Sequence, residues 1–122
     1  MDFKITNKEK EVLKIFWHAQ KPLSVSDVVD IGTKLSKNTI PIVVKNLYKK
    51  KYLEVDHIEQ KKKALARVYT PTISEEQFII NDLSEESIRN LFSAFIENNN
   101  EIEELEEIKN LINQRKNELK GD

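Results

Sequence analysis

The chain has 122 residues and nearly balanced charge, with 20 lysine and arginine residues against 21 aspartate and glutamate residues. This length suits one domain with an appendage and is sufficient to bury a hydrophobic core. The sequence has no cysteine, which excludes disulfides and thiolate metal sites. His18 and His57 are the two imidazoles, and nothing in the sequence places them together. We therefore expect no metal site and no other cofactor.

Two broad classes of protein are disfavoured at this stage. The N-terminus does not read as a signal peptide, and no apolar run approaches the length of about 20 residues that a membrane span needs. We therefore expect a cytoplasmic protein without membrane insertion. An enzyme is not expected, because no nucleophile–base pair, metal cluster or glycine-rich phosphate loop is visible.

Charge is distributed unevenly along the chain. Residues 1–73 carry a net charge of +7, whereas residues 74–122 carry −8. A basic front part suits a polyanion such as DNA, which an acidic tail would repel. We expect residues 1–72 to form a DNA-binding domain and residues 73–122 to form a helical region with another role.

Two helix starts are visible in the first 30 residues. Thr6 followed by Glu9 makes a capping box, which opens a helix with an apolar stripe. Trp17 lies on that stripe, so core packing is favoured over stacking on a base. Ser24 followed by Asp27 starts a second, shorter helix.

A third helix is predicted after Ser36 or Thr39, either of which could cap it. At about 100° per residue, one side of this helix is apolar and faces the core. That side carries Ile40, Val43, Val44 and Leu47. The opposite side carries Asn38, Ile42, Lys45 and Lys49, with Pro41 and Asn46 beside them. Lysines there can meet phosphates, asparagines can pair with a base edge, and an isoleucine can touch a thymine methyl. A solvated lysine face is the alternative interpretation.

The pattern then changes to a hairpin. Leu53 to Ile58 and Leu65 to Tyr69 read as two strands, and Pro71 ends the pairing. The turn from Glu59 to Lys63 contains no glycine, so we expect it to be open and mobile instead of a tight two-residue turn. Three helices and a hairpin in this order predict a mostly α-helical winged helix-turn-helix with a small β-hairpin wing. The expected DNA contacts are Ser36, Lys37, Asn38, Thr39, Pro41, Ile42, Lys45, Asn46, Lys49, Lys50, Lys61, Lys62 and Lys63.

The acidic remainder is predicted to be helical. Ser74 and Ser84 are helix-capping positions, and the polar run 98–100 separates the last two helices. Their apolar stripes are too large for one small winged domain to cover, so we expect a homodimer; folding back on the same chain is the alternative. The expected dimerisation residues are Leu91, Phe92, Phe95, Ile102, Leu105, Ile108 and Ile112.

These segments together resemble the penicillinase and methicillin-resistance repressor family, which also includes copper-responsive repressors. The matching segments are Thr6–Trp17, Pro22–Val28, Ser36–Leu53, Val68–Pro71 and Leu91–Leu105. The resemblance implies a homodimeric repressor with an N-terminal winged helix and a C-terminal helical dimerisation region. It also implies induction, either through cleavage by a membrane sensor-protease or through metal binding.

The chain departs from the family pattern at several positions. It lacks the paired cysteines of the copper branch, which excludes copper sensing through thiolates. Pro41, Ile42 and Asn46 stand where the beta-lactam branch usually has arginine, threonine and arginine, so we expect a different operator sequence. Ala94–Phe95 stands in place of the asparagine–phenylalanine bond cleaved in the best-known members, and is the candidate cleavage position.

The sequence thus predicts a transcriptional repressor that occludes a promoter by binding a palindromic double-stranded operator as a dimer. The alternative is a winged helix used as a protein-interaction module, with the helical tail docking a partner. The exposed lysines of the third helix favour DNA, because a protein-binding surface would more often be apolar or aromatic there.

Overall fold

The computed structural model describes residues 4–121. Within that range the chain is mostly helical with one small antiparallel sheet, as predicted. The elements are α1 (Asn7–Ala19), β1 (Leu23–Ser24), α2 (Val25–Ile31), α3 (Thr39–Lys49), β2 (Leu53–Lys61), β3 (Ala64–Pro71), α4 (Glu75–Asp82), α5 (Glu85–Glu97) and α6 (Ile102–Lys120). Each helix in the described range is either too short or too polar to span a lipid bilayer.

Capping boxes begin the first two helices, as the sequence predicted. The Thr6 hydroxyl accepts the Glu9 backbone N–H at 3.1 Å, and the Glu9 carboxylate accepts the Thr6 N–H at 2.9 Å. Ser24 and Asp27 form the same reciprocal pair for α2, at 3.2 and 2.9 Å. Gly32 follows α2 with a φ of 90°, a conformation that glycine adopts without steric cost.

Both ends of α3 are held by local hydrogen bonds. The hydroxyl of Ser36 accepts the first backbone N–H of α3 at 3.1 Å, but the N-cap position is Asn38, whereas the sequence had predicted Ser36 or Thr39. At the other end Lys51 has a φ of 68°, and its N–H donates to the Tyr48 carbonyl at 3.0 Å. The Tyr52 N–H donates to the Leu47 carbonyl at 3.0 Å, which completes a Schellman motif. A lysine thus takes the left-handed position that glycine usually occupies, at a cost of about 1 kcal/mol.

The apolar sides of α1, α2 and α3 meet the sheet in one core. Burying a side chain of this type contributes about 1.5–3 kcal/mol. This cluster is therefore the main source of stability for the part of the chain that contains α1, α2, α3 and the sheet, which we call the winged unit. The members of the cluster are Val12, Leu13, Phe16, Leu23, Val28, Ile40, Val43, Val44, Leu47, Leu53 and Tyr69.

The sheet has three strands in the order β1-β3-β2, and β3 is central. Tyr69 pairs with Leu23 on one side and with Val55 on the other, which places two core residues and the half-buried Val55 at one level of the sheet. The β2–β3 ladder shifts register between Val55 and His57, so Asp56 is an extra residue in β2. The two-residue strand β1 was not predicted, because it is too short to show an alternating pattern.

The turn of the wing differs from the prediction. Lys61 pairs with Ala64, so only Lys62 and Lys63 lie between the two strands. The expectation of an open turn over residues 59–63 is therefore wrong. Lys62 adopts a φ of 53°, which a non-glycine residue tolerates at moderate cost. The backbone hydrogen bonds of the β2–β3 ladder, which extends to the pair Lys61–Ala64, offset that cost. The sequence alone could not show how far the ladder extends, so it did not predict the tight turn.

Residues beyond the wing pack against α1. The Trp17 indole N–H donates to the Ile73 carbonyl at 2.9 Å, and its ring lies 5.4 Å from that of Phe78. This confirms a packing role for Trp17. The chain divides into two compact units, one up to Ile79 and one from Ile80 onward. The division falls later than the boundary expected after residue 72, because Phe78 packs with the winged unit.

The second unit consists of the end of α4 together with α5 and α6. The hydroxyl of Ser84 accepts the Ser87 N–H at 3.1 Å and caps α5, and residues 98–101 separate α5 from α6, close to the predicted break. None of the described side chains of α4, α5 or α6 is fully buried. The apolar side chains of α5 and α6 are therefore exposed or half-buried in a single chain, whereas Phe78 of α4 packs against Trp17.

Candidate nucleic-acid interface

The two sides of α3 are divided as the sequence predicted. All four residues expected on the core side are buried, whereas the side chain of Ile42 is 62% exposed. Lys45 and Lys49 are exposed one helical turn apart, and Asn46 is exposed beside them. Pro41 is exposed as well. No acidic residue lies within α3, so this surface is uniformly neutral or basic.

The residues before α3 lie next to this surface. The hydroxyls of Ser36 and Thr39 are hydrogen-bonded to each other at 2.8 Å, so they hold the local backbone. Asn38 occupies the N-cap position, but its side chain makes no capping hydrogen bond and is exposed. Lys37 is exposed beside it. The Asn38 amide is therefore available to a hydrogen-bonding partner outside the chain.

A groove of about 780 Å³ runs between α2, the start of α3 and the wing. Five of the residues predicted to bind DNA line this groove. They are Lys37, Asn38, Pro41, Lys61 and Lys62. The fold thus brings together two segments that are at least 20 residues apart in the sequence.

The lysines of the wing have different surroundings. Lys61 is half-buried, and its Nζ lies 3.1 Å from Oδ1 of Asp27 in α2 and 3.5 Å from Oε2 of Glu59. Its hydrogen bond to Asp27 raises the pKa of Lys61. The Ser24 N–H bond, together with the Lys61 bond, lowers the pKa of Asp27. Both groups are therefore held in their charged forms. Lys62 and Lys63, at the turn, are exposed.

A histidine on β2 extends this charged network. His57 Nε2 lies 3.0 Å from Glu59, and Nδ1 lies 2.6 Å from Asp56. Hydrogen bonds to Glu59 and Asp56 raise the pKa of His57, which favours the imidazolium form. Within the described part of the chain, no group of three His, Asp or Glu side chains is arranged to hold a metal ion.

Lys50 lies in a different setting from the other predicted DNA contacts. Its Nζ is 2.6 Å from Oε1 of the buried Glu9 and donates to the Lys4 carbonyl at 2.8 Å. Burial opposes ionisation of Glu9, but hydrogen bonds from Lys50 and Thr6 lower its pKa overall. The ammonium of Lys50 is thus engaged by α1, and the structure does not place it beside Lys45 and Lys49 as a free cation.

Two further residues on this surface were not singled out from the sequence. The guanidinium of Arg67 in β3 lies 5.8 Å from the ring centroid of Tyr48 in α3. The Tyr48 ring meets Tyr69 edge-on at 5.9 Å. Arg67 also lines the groove and is exposed. The available signal was the alternation of the strand, because residues two positions apart lie on the same face of a sheet and Arg67 therefore shares the face of Tyr69.

The predicted dimerisation residues are on exposed or half-buried positions of α5 and α6. Leu91, Phe92 and Phe95 are 58%, 47% and 42% exposed in α5. Ile102 and Ile112 are 76% and 44% exposed in α6, whereas Leu105 and Ile108 are half-buried.

The candidate cleavage position lies inside α5. Ala94 and Phe95 are both exposed, and the Ala94 carbonyl accepts the N–H of Asn98 at 3.0 Å. Their peptide bond is therefore part of a regular helix, three residues before its end at Glu97.

Comparisons with known proteins place this geometry in context. Among solved structures, a variant of the regulator MepR from a multidrug-resistant Staphylococcus aureus clinical isolate aligns over 95% of this chain and 80% of its own, at 20% identity and a TM-score of 0.50. The adhesin competence repressor AdcR of Streptococcus pyogenes aligns over 98% of this chain and 83% of its own, at 18% identity and a TM-score of 0.46. At 20% identity the MepR variant is similar to this chain in fold alone. Among curated protein sequences, none matches the chain significantly.

A match to a sequence family is more informative. The family described as Penicillinase repressor matches residues 5–114, which includes the winged unit, α5 and most of α6. This agrees with the resemblance found in the sequence and with the exposed basic side of α3. The chain belongs to the penicillinase repressor family of DNA-binding transcriptional regulators.

Proposed function

We propose that this chain is a sequence-specific repressor that binds a palindromic operator as a homodimer. The observation that carries the proposal is the exposed side of α3, where Ile42, Lys45, Asn46 and Lys49 are all exposed on a helix without acidic residues. A helix of this kind fits the DNA major groove, whose width admits one α-helix.

The lysines supply the affinity in this proposal. Lys45 and Lys49 on α3, Lys37 before α3, and Lys62 and Lys63 at the wing turn are all exposed. Ammonium groups in such positions contact phosphate oxygens, which sets the register of the protein on the duplex without reading its sequence.

Sequence choice comes from the polar and apolar side chains between these lysines. The amides of Asn38 and Asn46 can each donate to and accept from an adenine edge. The methyl groups of Ile42 can pack against a thymine methyl. Pro41 and Thr39 lie at the start of the helix, where a recognition helix contacts base edges.

Dimerisation is proposed through α5 and α6. Their apolar residues are largely exposed in the single chain, and a second copy would cover them with the same surface in a two-fold arrangement. Two winged units would then bind two half-sites, and the linkage would raise the effective concentration of the second unit once the first is bound. Occupancy of such an operator would block a promoter by occlusion.

Cleavage at Ala94–Phe95 is the proposed route of induction, with a membrane sensor-protease as the expected partner. Cutting there would separate the winged unit from Phe95 and from all of α6. Because the bond is helical, the last turn of α5 would first have to unwind. A chain ending at Ala94 should bind the operator more weakly than the full chain, since the dimer contacts of α6 would be lost.

Selection of bound sequences from random duplex DNA tests the proposal. The full chain should enrich a motif with two inverted half-sites. A triple variant, Ile42→Ala, Lys45→Ala and Lys49→Ala, is the matched control, because all three side chains are exposed and their loss should leave the core intact. Failure of the unmodified chain to enrich any motif would refute sequence-specific binding and favour the protein-interaction alternative. A single motif without an inverted repeat would refute the palindromic dimer.

A further inference from the structure

The wing is supported unevenly along its length. The short strand β1 pairs with β3 only at Val68 and Tyr69. From the pair Ile58–Arg67 to the pair Lys61–Ala64, the wing is a ribbon of two strands. Two-stranded ribbons are marginally stable in water and twist strongly, so the direction in which the turn points needs an additional contact to define it.

Lys61 makes that contact. It belongs to the last pair of the ribbon before the turn, and its Nζ donates to Oδ1 of Asp27 at 3.1 Å. The two residues are 34 positions apart in the chain, so this ion pair ties the end of the wing to the first turn of α2.

Asp27 is well placed to act as a fixed anchor. Its second oxygen, Oδ2, accepts the backbone N–H of Ser24 at 2.9 Å, and its own N–H donates to the Ser24 hydroxyl at 3.2 Å. Ser24 is buried and pairs with Val68 in the sheet. One carboxylate oxygen therefore caps α2, and the other is directed to the wing.

The charges around Lys61 also distinguish it from its neighbours. Two carboxylates, those of Asp27 and Glu59, lie within 3.5 Å of its ammonium. A phosphate oxygen approaching Lys61 would meet the field of both anions. In the described part of the chain, no carboxylate is paired with Lys62 or Lys63, which follow immediately.

We infer that Lys61 is a positioning residue: held by Asp27, it sets the wing against α2 so that Lys62 and Lys63, and not Lys61, contact DNA phosphates. The second part of this inference, that Lys62 and Lys63 contact phosphates and Lys61 does not, rests on the proposed DNA-binding function. The first part, the tie between wing and helix, is a property of the free protein and can be measured without DNA.

The tie is tested by spin labelling of the full chain, which has no cysteine of its own. Labels at Ile31→Cys in α2 and Leu65→Cys in β3 use two exposed apolar positions outside the proposed DNA contacts. The distance distribution between them should be narrow, and should broaden in Asp27→Asn and in Lys61→Met. Asparagine keeps an oxygen to cap α2, so Asp27→Asn removes the anion without removing the cap. Lys63→Ala is the control and should leave the distribution narrow.

The assignment of the phosphate contacts is tested with the duplex that is obtained by selection from random DNA. Lys61→Met should weaken binding by about threefold to tenfold, which is the scale of a partly exposed ion pair at each of two half-sites, while the dependence on salt stays the same. Lys63→Ala should instead reduce the slope of log affinity against log salt by about 0.9 per subunit. The double variant Asp27→Asn with Lys61→Met should bind no more weakly than either single variant.

Each contrary result has a distinct meaning. An unchanged distance distribution in both Asp27→Asn and Lys61→Met would refute the tie. A salt slope that falls in Lys61→Met as it does in Lys63→Ala would show that Lys61 itself contacts phosphate, and would also overturn the inference. Absence of duplex binding by the unmodified chain would refute the proposed function and, with it, the assignment of the phosphate contacts. The spin-label distances would still decide whether Lys61 and Asp27 hold the wing.

Discussion

The Nζ of Lys50 lies 2.6 Å from Oε1 of Glu9, and this ion pair joins the end of α3 to the first turn of α1. Glu9 is only 3% exposed, and it also completes the capping box with Thr6. A buried carboxylate without a partner is costly, so Lys50 contributes to the stability of the winged unit. The pair explains why one lysine in the run 49–51 faces the protein instead of solvent.

Stability should therefore fall in acid through Glu9. Because hydrogen bonds lower its pKa in the folded state, the contribution of the ionised form is fully present above the ordinary glutamate pKa of about 4.3. It is lost as the pH falls from that value through the lower folded-state pKa. Glu9→Gln should reduce the free energy of unfolding at pH 7 by about 1–3 kcal/mol and flatten the acid dependence. Urea denaturation at a fixed protein concentration measures both quantities.

The matched control for this variant is Glu54→Gln, at an exposed position of β2. A loss of stability in Glu54→Gln equal to that in Glu9→Gln would show that the Lys50 pair has no special role.

Binding to duplex DNA should depend strongly on salt. Five exposed lysines per subunit, at positions 37, 45, 49, 62 and 63, are in the proposed phosphate set. Each neutralised phosphate adds about −0.9 to the slope of log affinity against log salt, so the slope should be about −4.5 per subunit. Titration of an operator duplex at several salt concentrations measures the slope, and Lys116→Ala on α6 should not change it. A flat response would exclude the electrostatic mechanism.

Ile42 should determine preference at one base position of each half-site. If its methyl groups contact thymine, Ile42→Ala should cost about 1–3 kcal/mol for the favoured base and relax the preference there. Lys49→Ala should weaken all duplexes to a similar degree, because a phosphate contact reads no sequence. Ile31→Ala, which removes another exposed isoleucine, is the control. Unchanged affinity and preference in Ile42→Ala would mean that the assigned DNA-facing side of α3 is wrong.

The helical region should be required for the dimer. Leu91→Asp combined with Ile112→Asp places charge on two side chains that are exposed in the single chain, so the fold of each subunit should be retained. In a dimer interface the same carboxylates would lose their hydration without a partner, which is costly. Sedimentation should show a monomer, and the operator should be bound much more weakly.

Leu119→Asp is the matched control for the tail, because this leucine is 69% exposed near the end of α6 and lies outside the predicted dimer set. It should sediment as the unmodified chain does. A monomeric unmodified chain, or a double variant that remains dimeric, would rule out α5 and α6 as the dimerisation element.

Much of the structure of the winged unit could be predicted from local sequence patterns. The capping boxes at Thr6 and Ser24 depend on residues three positions apart, and the division of α3 into a buried and an exposed side depends on the helical period. These features involve interactions within one or two helical turns, so sequence spacing specifies them directly.

Contacts between distant segments could not be obtained in this way. The lysines of the two runs 49–51 and 61–63 look equivalent in the sequence, yet Lys50 is paired with Glu9, Lys61 is paired with Asp27, and Lys62 is exposed. The partners lie 41 and 34 residues away, so only the packed fold brings them within hydrogen-bond distance. The same is true of Arg67 over Tyr48, a contact between β3 and α3.

The sequence by itself determined the winged-helix class, the capped starts of α1, α2 and α5, and the side of α3 that is left exposed, because periodicity and capping act over a few residues. The tertiary structure decided the tight wing turn and which lysines remain available to a polyanion. Those outcomes depend on backbone pairing along the whole β2–β3 ladder and on carboxylates supplied by other elements, and neither can be read from the local order of residues.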